Sequence, residues 1–282
     1  MHHHQGRYPA ARLALAVGLV IAGLTASLTG CDLKPHPKAK DCPDFPRTGQ
    51  IQRTVVESID VSESAGDEWD ELKNQARQLA ESQVGGENPP ASLQVFAQDN
   101  SVMTHAVHTQ LVDPIAFDFD TGGNGTQRRD YTNACLDLFE QELDQALGQI
   151  TPSNGSDPFG GAAYASTIFE EAGTTDNVFG MFGDGYAVNS ACNLYHDAAL
   201  LEPTLHEDLA RRCTNGVVPT MTDVAVFQGG VGVRSADAAP SPDADARAVQ
   251  LIAFYRDAFW PLTGAQQPAN VAPRLQFTER TS

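Results

Sequence analysis

Asp60-Val61-Ser62-Glu63-Ser64 places an aspartate and two serines at alternate positions. All three carry oxygen donors, which a hard divalent cation prefers. Alternation along one loop can turn the three side chains toward a common point. The same residue types also make solvated turns and cap helices, so the flanking chain decides between the two readings. Upstream, residues 54–59 are largely β-branched and apolar and read as a buried strand ending at Asp60. A second apolar run, residues 177–182, ends in Gly183-Asp184-Gly185. A carboxylate thus follows each of two buried strands.

The elements that must position these residues alternate in type. Strands are expected at 54–59, 93–97, 105–112 (an edge strand), 177–182 and 223–227. Helices are expected at 67–83, 129–148, 161–172, 196–212 and 242–260, each with apolar residues at helical spacing or small residues throughout. Alternating strands and helices imply an α/β domain, a mostly parallel sheet with helices on both faces. In such folds ligands bind beyond the carboxyl ends of the strands, where Asp60 and Asp184 fall.

With strand, D-x-S-x-S loop and Gly-Asp-Gly in this order, residues 51–262 resemble the von Willebrand factor type A domain and its metal ion-dependent adhesion site. The resemblance implies a Rossmann-like fold with one antiparallel edge strand. It implies a cation, Mg²⁺ or Mn²⁺ with Ca²⁺ as a further candidate, contacted by Ser62, Ser64 and a hydroxyl from a second loop. Asp60 and Asp184 would hold it directly or through water. Where the family has threonine in the second loop, Ser156 in Gly155-Ser156-Asp157 is the matching position, with Thr126 as the competitor. It further implies a non-enzymatic binding protein that leaves one coordination position for a carboxylate from a protein or other partner.

Two readings compete. Phe117-Asp118-Phe119-Asp120-Thr121 resembles the nucleophile loop of haloacid dehalogenase-type phosphatases, with Asp118 as nucleophile, Asp120 as acid and base, and Asp184 on magnesium. That family needs a lysine between the two motifs, and this chain has none after Lys73. The same loop fails as an EF-hand, because the twelfth position from Asp118 is Arg129 rather than glutamate, which leaves an acidic surface loop, or a looser calcium site at 118–124. The third possibility is a structural lipoprotein that packs into an envelope assembly without metal. His105, His108, His196 and His206 lie in no recognisable catalytic context.

The N-terminus reads as an export signal. Arg7 and Arg12 precede an uninterrupted apolar run, residues 13–24, and Leu28-Thr29-Gly30-Cys31 resembles the bacterial lipobox, in which the cysteine is acylated. The expected organisation is a lipoprotein signal at 1–30, a Pro- and Lys-rich tether at 31–50, the α/β domain at 51–264 and a polar tail at 265–282, held by lipid on Cys31 at the extracytoplasmic face of a membrane. Four further cysteines in an oxidising compartment suggest two disulfides. Cys192–Cys213 brackets one compact segment and is favoured, which leaves Cys42–Cys135. The formal net charge of −18 over 282 residues repels phosphate backbones, so nucleic acid is excluded as a partner and divalent cations suit the field.

Overall fold

In the computed structural model, β1 (Arg53–Asp60) runs through the middle of a six-stranded sheet. The structure describes residue 42 and residues 45–85, 88–99, 109–233 and 242–277. The expected signal segment, Cys31, most of the tether, His105 and His108 lie outside them.

β1 pairs in parallel with β2 (Ala91–Gln98) on one side and with β4 (Asp176–Phe182) on the other. β5 (Val224–Gly229) continues the parallel set. β3 (Gln110–Phe117) closes the other edge antiparallel to β2. The spatial order is β3-β2-β1-β4-β5-β6, where β6 is Asn270–Ala272. Parallel strands covered by helices are buried on both faces, and every residue of β1 after Arg53 is buried. Val55 and Ile59 face a core completed by α1 (Trp69–Val84) and α2 (Gly125–Leu147). Val56 faces a second core with α3 (Pro158–Ala172), α4 (His206–Cys213) and α5 (Pro242–Phe254). α5 runs on through a π-helical turn, Tyr255–Phe259, into α6 (Trp260–Thr263). This is the expected α/β architecture, with its single antiparallel edge strand. Among the described residues no helix is long and apolar enough to cross a membrane.

The elements depart from expectation where chain chemistry is irregular. β3 extends beyond the expected end at 112 to Phe117 and runs through Pro114, which an edge strand tolerates because one side needs no donor. The helix expected from 196 is broken into two 3₁₀ turns, Ala198–Leu201 and Pro203–Leu205, before α4 begins. Pro203, lacking an N–H, fits the first turn of a helix but not its interior.

Two of the expected boundaries are corrected. Residues 265–277 are not a free tail: β6 pairs in parallel with β5, Leu275 is buried, and its N–H donates to Gln75 Oε1 at 3.0 Å. The end of the tether is likewise docked. Cys42 is buried, Arg47 bridges to Phe119, and Thr48 N–H donates to the Asp118 carbonyl at 2.8 Å. Both disulfides are those favoured from the sequence, Cys42–Cys135 and Cys192–Cys213.

Candidate functional site

Because β1, β2, β4 and β5 are parallel, all four release their chains at one pole of the sheet. Asp60 ends β1, Gln98 ends β2, and Gly183-Asp184-Gly185 follows β4. The loop before α3 reaches the same pole. Ser153 bridges to Ser62, its N–H donating to the Val61 carbonyl at 3.0 Å, while Glu63 N–H donates to the Ser153 carbonyl at 2.9 Å. That pairing carries Ser156 to the site.

Four of the five expected donors are linked by direct hydrogen bonds. Asp60 Oδ1 accepts from Ser62 N–H at 2.8 Å, the turn an aspartate makes two residues ahead of a backbone amide. The Ser62 and Ser64 hydroxyls are 2.9 Å apart, and Ser64 Oγ donates to Asp184 Oδ2 at 3.1 Å. The fifth donor, Ser156, accepts from Gln98 Nε2 at 2.6 Å. Gln98 in turn accepts from Ser58 Oγ at 3.4 Å. Asp60, Ser62, Ser156 and Asp184 are all buried; Ser64 is exposed.

Electrostatics set this group apart from an ordinary capped turn. Asp60 is fully buried, and its Oδ2 has no hydrogen-bond partner. Burial, then the neighbouring Asp184 charge, push its carboxyl up to about 7; the Ser62 amide and the nearby Ser62 and Ser156 hydroxyls offset part of the rise. Neither hydroxyl makes a regular hydrogen bond to Oδ2. Asp184 is also raised by burial, opposed by donors from Tyr195, Tyr186 and Ser64. Two buried carboxylates held together disfavour each other's ionisation, and a bound dication would relieve both. Among the described residues no group of three His, Cys, Asp or Glu side chains could hold a metal. The donor set here is instead two carboxylates and three hydroxyls, all hard oxygens, which suits a hard divalent cation such as Mg²⁺, Mn²⁺ or Ca²⁺.

The Gly-Asp-Gly turn is required by close approach. A Cβ on Gly183 would sit 2.5 Å from Asp60 Cβ. Gly185 has φ +77°, where side chains are strained, and its carbonyl accepts from Tyr255 OH at 2.7 Å. Tyr255 begins the π-helical turn, an irregularity often found at functional sites.

Three contributors are not singled out in the sequence, and Gly183, which is, carries no role there. Gln98 orients Ser156. Asn189 donates to Asp157 Oδ1 at 2.8 Å, beside Ser156. Tyr195 OH donates to Asp184 Oδ2 at 2.6 Å. Gly183 makes room for Asp60. A polar residue ending an apolar strand could have flagged Gln98; Asn189 and Tyr195 sit in an irregular loop that leaves no periodic signal.

The remaining candidates lie elsewhere. β3 runs antiparallel and ends opposite the start of β2, so Asp118, Asp120 and Thr126 emerge at the opposite pole. Thr126 is exposed in the first turn of α2. Asp118 accepts from Arg47 Nη1 at 3.0 Å and from Gly49 N–H at 2.8 Å, which ties it to the docked N-terminal segment. The phosphatase arrangement, which needs Asp118 and Asp184 around one phosphate, is therefore not assembled. His206 is buried, with Nε2 2.8 Å from the Leu200 carbonyl.

No protein-family model matches the chain, and no curated protein matches it either. Solved structures that resemble it do so distantly. An aerotolerance-related membrane protein from Bacteroides fragilis aligns at 14% identity and TM-score 0.36, over 80% of this chain and 92% of that one. BatB, a conserved hypothetical protein from Bacteroides thetaiotaomicron, aligns at 13% identity and TM-score 0.35, over 79% and 92%. The type V pili tip protein Mfa5 from Porphyromonas gingivalis aligns at 14% identity and TM-score 0.33, over 68% of this chain and 29% of that one.

Proposed function

We propose that this chain is a non-enzymatic extracytoplasmic binding protein, held at a membrane by lipid on Cys31. In this reading it binds a carboxylate-bearing protein or other partner through a divalent cation. The observation that carries the reading is the buried Asp60 Oδ2, which has no hydrogen-bond partner and sits within a cluster of hydroxyl donors and a second carboxylate. A buried anionic oxygen without a donor is costly unless something positive completes it.

Ser62, Ser64 and Ser156 would offer lone pairs, and Asp60 and Asp184 charge. When bound, Mg²⁺ or Mn²⁺ would supply an electrophilic point for an incoming carboxylate. Ser62 N–H and Tyr186 N–H fix the Oδ1 atoms of the two aspartates at 2.8 Å each, so the carboxylates cannot rotate freely. Gln98 donates to Ser156 and leaves that hydroxyl's own proton free to turn away from a cation. The lipid anchor is supported by the sequence from Leu28 to Cys31 and the basic and apolar stretches before it.

Thermal unfolding of the full chain in EDTA, then in millimolar Mg²⁺ or Mn²⁺, tests the reading beside Asp60→Ala. A ligand bound only by the folded state stabilises it by RT ln(1 + [L]/Kd). The wild type should unfold at higher temperature with cation, and Asp60→Ala should not respond. Absence of a shift in the wild type would overturn the cation reading and favour metal-independent packing into an envelope assembly.

A further inference from the structure

Asp184 carries one donor more than holding a cation requires. Its Oδ1 accepts from Tyr186 N–H at 2.8 Å, and its Oδ2 accepts from both Ser64 Oγ at 3.1 Å and Tyr195 OH at 2.6 Å. The Ser64 bond has a reason: a serine offering lone pairs to a cation must send its proton elsewhere. The Tyr195 bond has none of that kind. It is a charge-assisted hydrogen bond, and such bonds draw negative charge from the acceptor.

Tyr195 is also built into place. Its ring stacks on Tyr186, with centroids 4.3 Å apart and planes 13° off parallel. Tyr195 N–H donates to Asn193 Oδ1 at 3.1 Å, and Leu194, fully buried, donates its N–H to the Ala187 carbonyl at 2.9 Å. The Cys192–Cys213 disulfide closes the loop from the other side. A phenol held this firmly is poised before any ligand arrives, which is what preorganised electrostatics require.

Resting on the cation reading above, we infer that Tyr195 is a specificity-setting residue. By donating its phenol proton to Asp184 it weakens the site's hold on the cation and leaves more positive charge for an anionic partner group. Two carboxylates formally neutralise a dication, so any charge withdrawn from Asp184 reappears as attraction for a third carboxylate. Tyr195 thereby biases the site toward carboxylate-bearing partners over neutral hydroxyl ligands.

The test uses the full chain and Tyr195→Phe, which keeps the ring and its stack and removes the proton. Mn²⁺ is titrated by calorimetry. Acetate is then titrated into the Mn²⁺-loaded protein and followed by water-proton relaxation. Loss of one charge-assisted hydrogen bond should tighten Mn²⁺ binding ~3–10-fold and weaken acetate binding by a similar factor. Opposite signs are the signature, because a residue that merely props the loop would lower both affinities together. Both falling, both rising or neither changing overturns the inference while the wild type still binds Mn²⁺. A wild type that takes up no Mn²⁺ removes the cation reading itself, and this inference with it.

Discussion

Gly183 lies directly against Asp60: a Cβ built on the glycine would fall 2.5 Å from Asp60 Cβ and 2.9 Å from its Oδ2. The neighbouring strand ends therefore share one volume, and the aspartate fills what the glycine leaves empty. On its other side Gly183 N–H donates to the Gly229 carbonyl at 3.0 Å, which holds the backbone where it is. Gly183→Ala must push the Asp60 carboxylate away. Overpacking of this kind costs ~1–3 kcal/mol. The cation-induced rise in unfolding temperature should shrink well beyond what that loss accounts for. Unfolding with and without Mn²⁺ measures both, and an intact cation response in a folded variant would show that Asp60 is free to move.

Glu57 supplies a test of charge burial away from the site. It sits mid-strand in β1, fully buried, with neither carboxyl oxygen hydrogen-bonded. Burial raises its carboxyl well above the ordinary value of 4.5. The folded state therefore keeps a proton that the unfolded chain gives up. The stability this contributes is present below the unfolded value and is lost as pH rises toward the folded one. Glu57→Gln should match the wild type near pH 4. It should then become relatively more stable at higher pH, by up to ~1.4 kcal/mol per unit between the two values. Denaturant unfolding from pH 4 to 8 checks this, and parallel profiles for the two proteins would mean that Glu57 is ionised in the fold.

The two disulfides should separate stability from site integrity. Cys42–Cys135 spans 93 residues and Cys192–Cys213 only 21. Chain-entropy reasoning gives ~4–5 kcal/mol for the longer closure and ~3 kcal/mol for the shorter. Removing the longer by paired serine substitutions should cost more stability. Removing the shorter should cost more Mn²⁺ affinity, because it releases the loop from which Asn189 holds Asp157 beside Ser156. Chemical unfolding and calorimetry on both double variants give the two rankings, and identical rankings would refute the separation.

How much of this was legible in the sequence depended on regularity. Asp60, Ser62 and Ser64 are adjacent in the chain, so their spacing alone suggested one site, and the buried run before them placed it at a strand end. Asp184, after its own buried run, is legible for the same reason. Only resemblance favours Ser156 over Thr126 in the sequence; the physical reason, the antiparallel course of β3, depends on strand pairing that a sequence does not display. Tyr195 and Asn189 were illegible because their positions follow from side-chain turns and a cross-link, which leave no period. β6 escaped because Asn270, Val271 and Ala272 are too few and too mixed to show alternation, and only the edge of β5 makes them a strand.

The Cys42–Cys135 bond has a mechanical consequence. Asp60, Ser62 and Ser64 lie between those two cysteines, inside a covalently closed ring of chain that also contains β1, β2 and β3. Tension applied between the chain's two ends passes across the sulfur bridge and cannot draw that ring out. Ser156 and Asp184 lie outside it, and outside the Cys192–Cys213 ring as well. Under a stretching force the fold must yield first on the side of Ser156 and Asp184. In the cation-dependent reading proposed above, separation of the site's two halves would release a bound partner without β1 leaving its place.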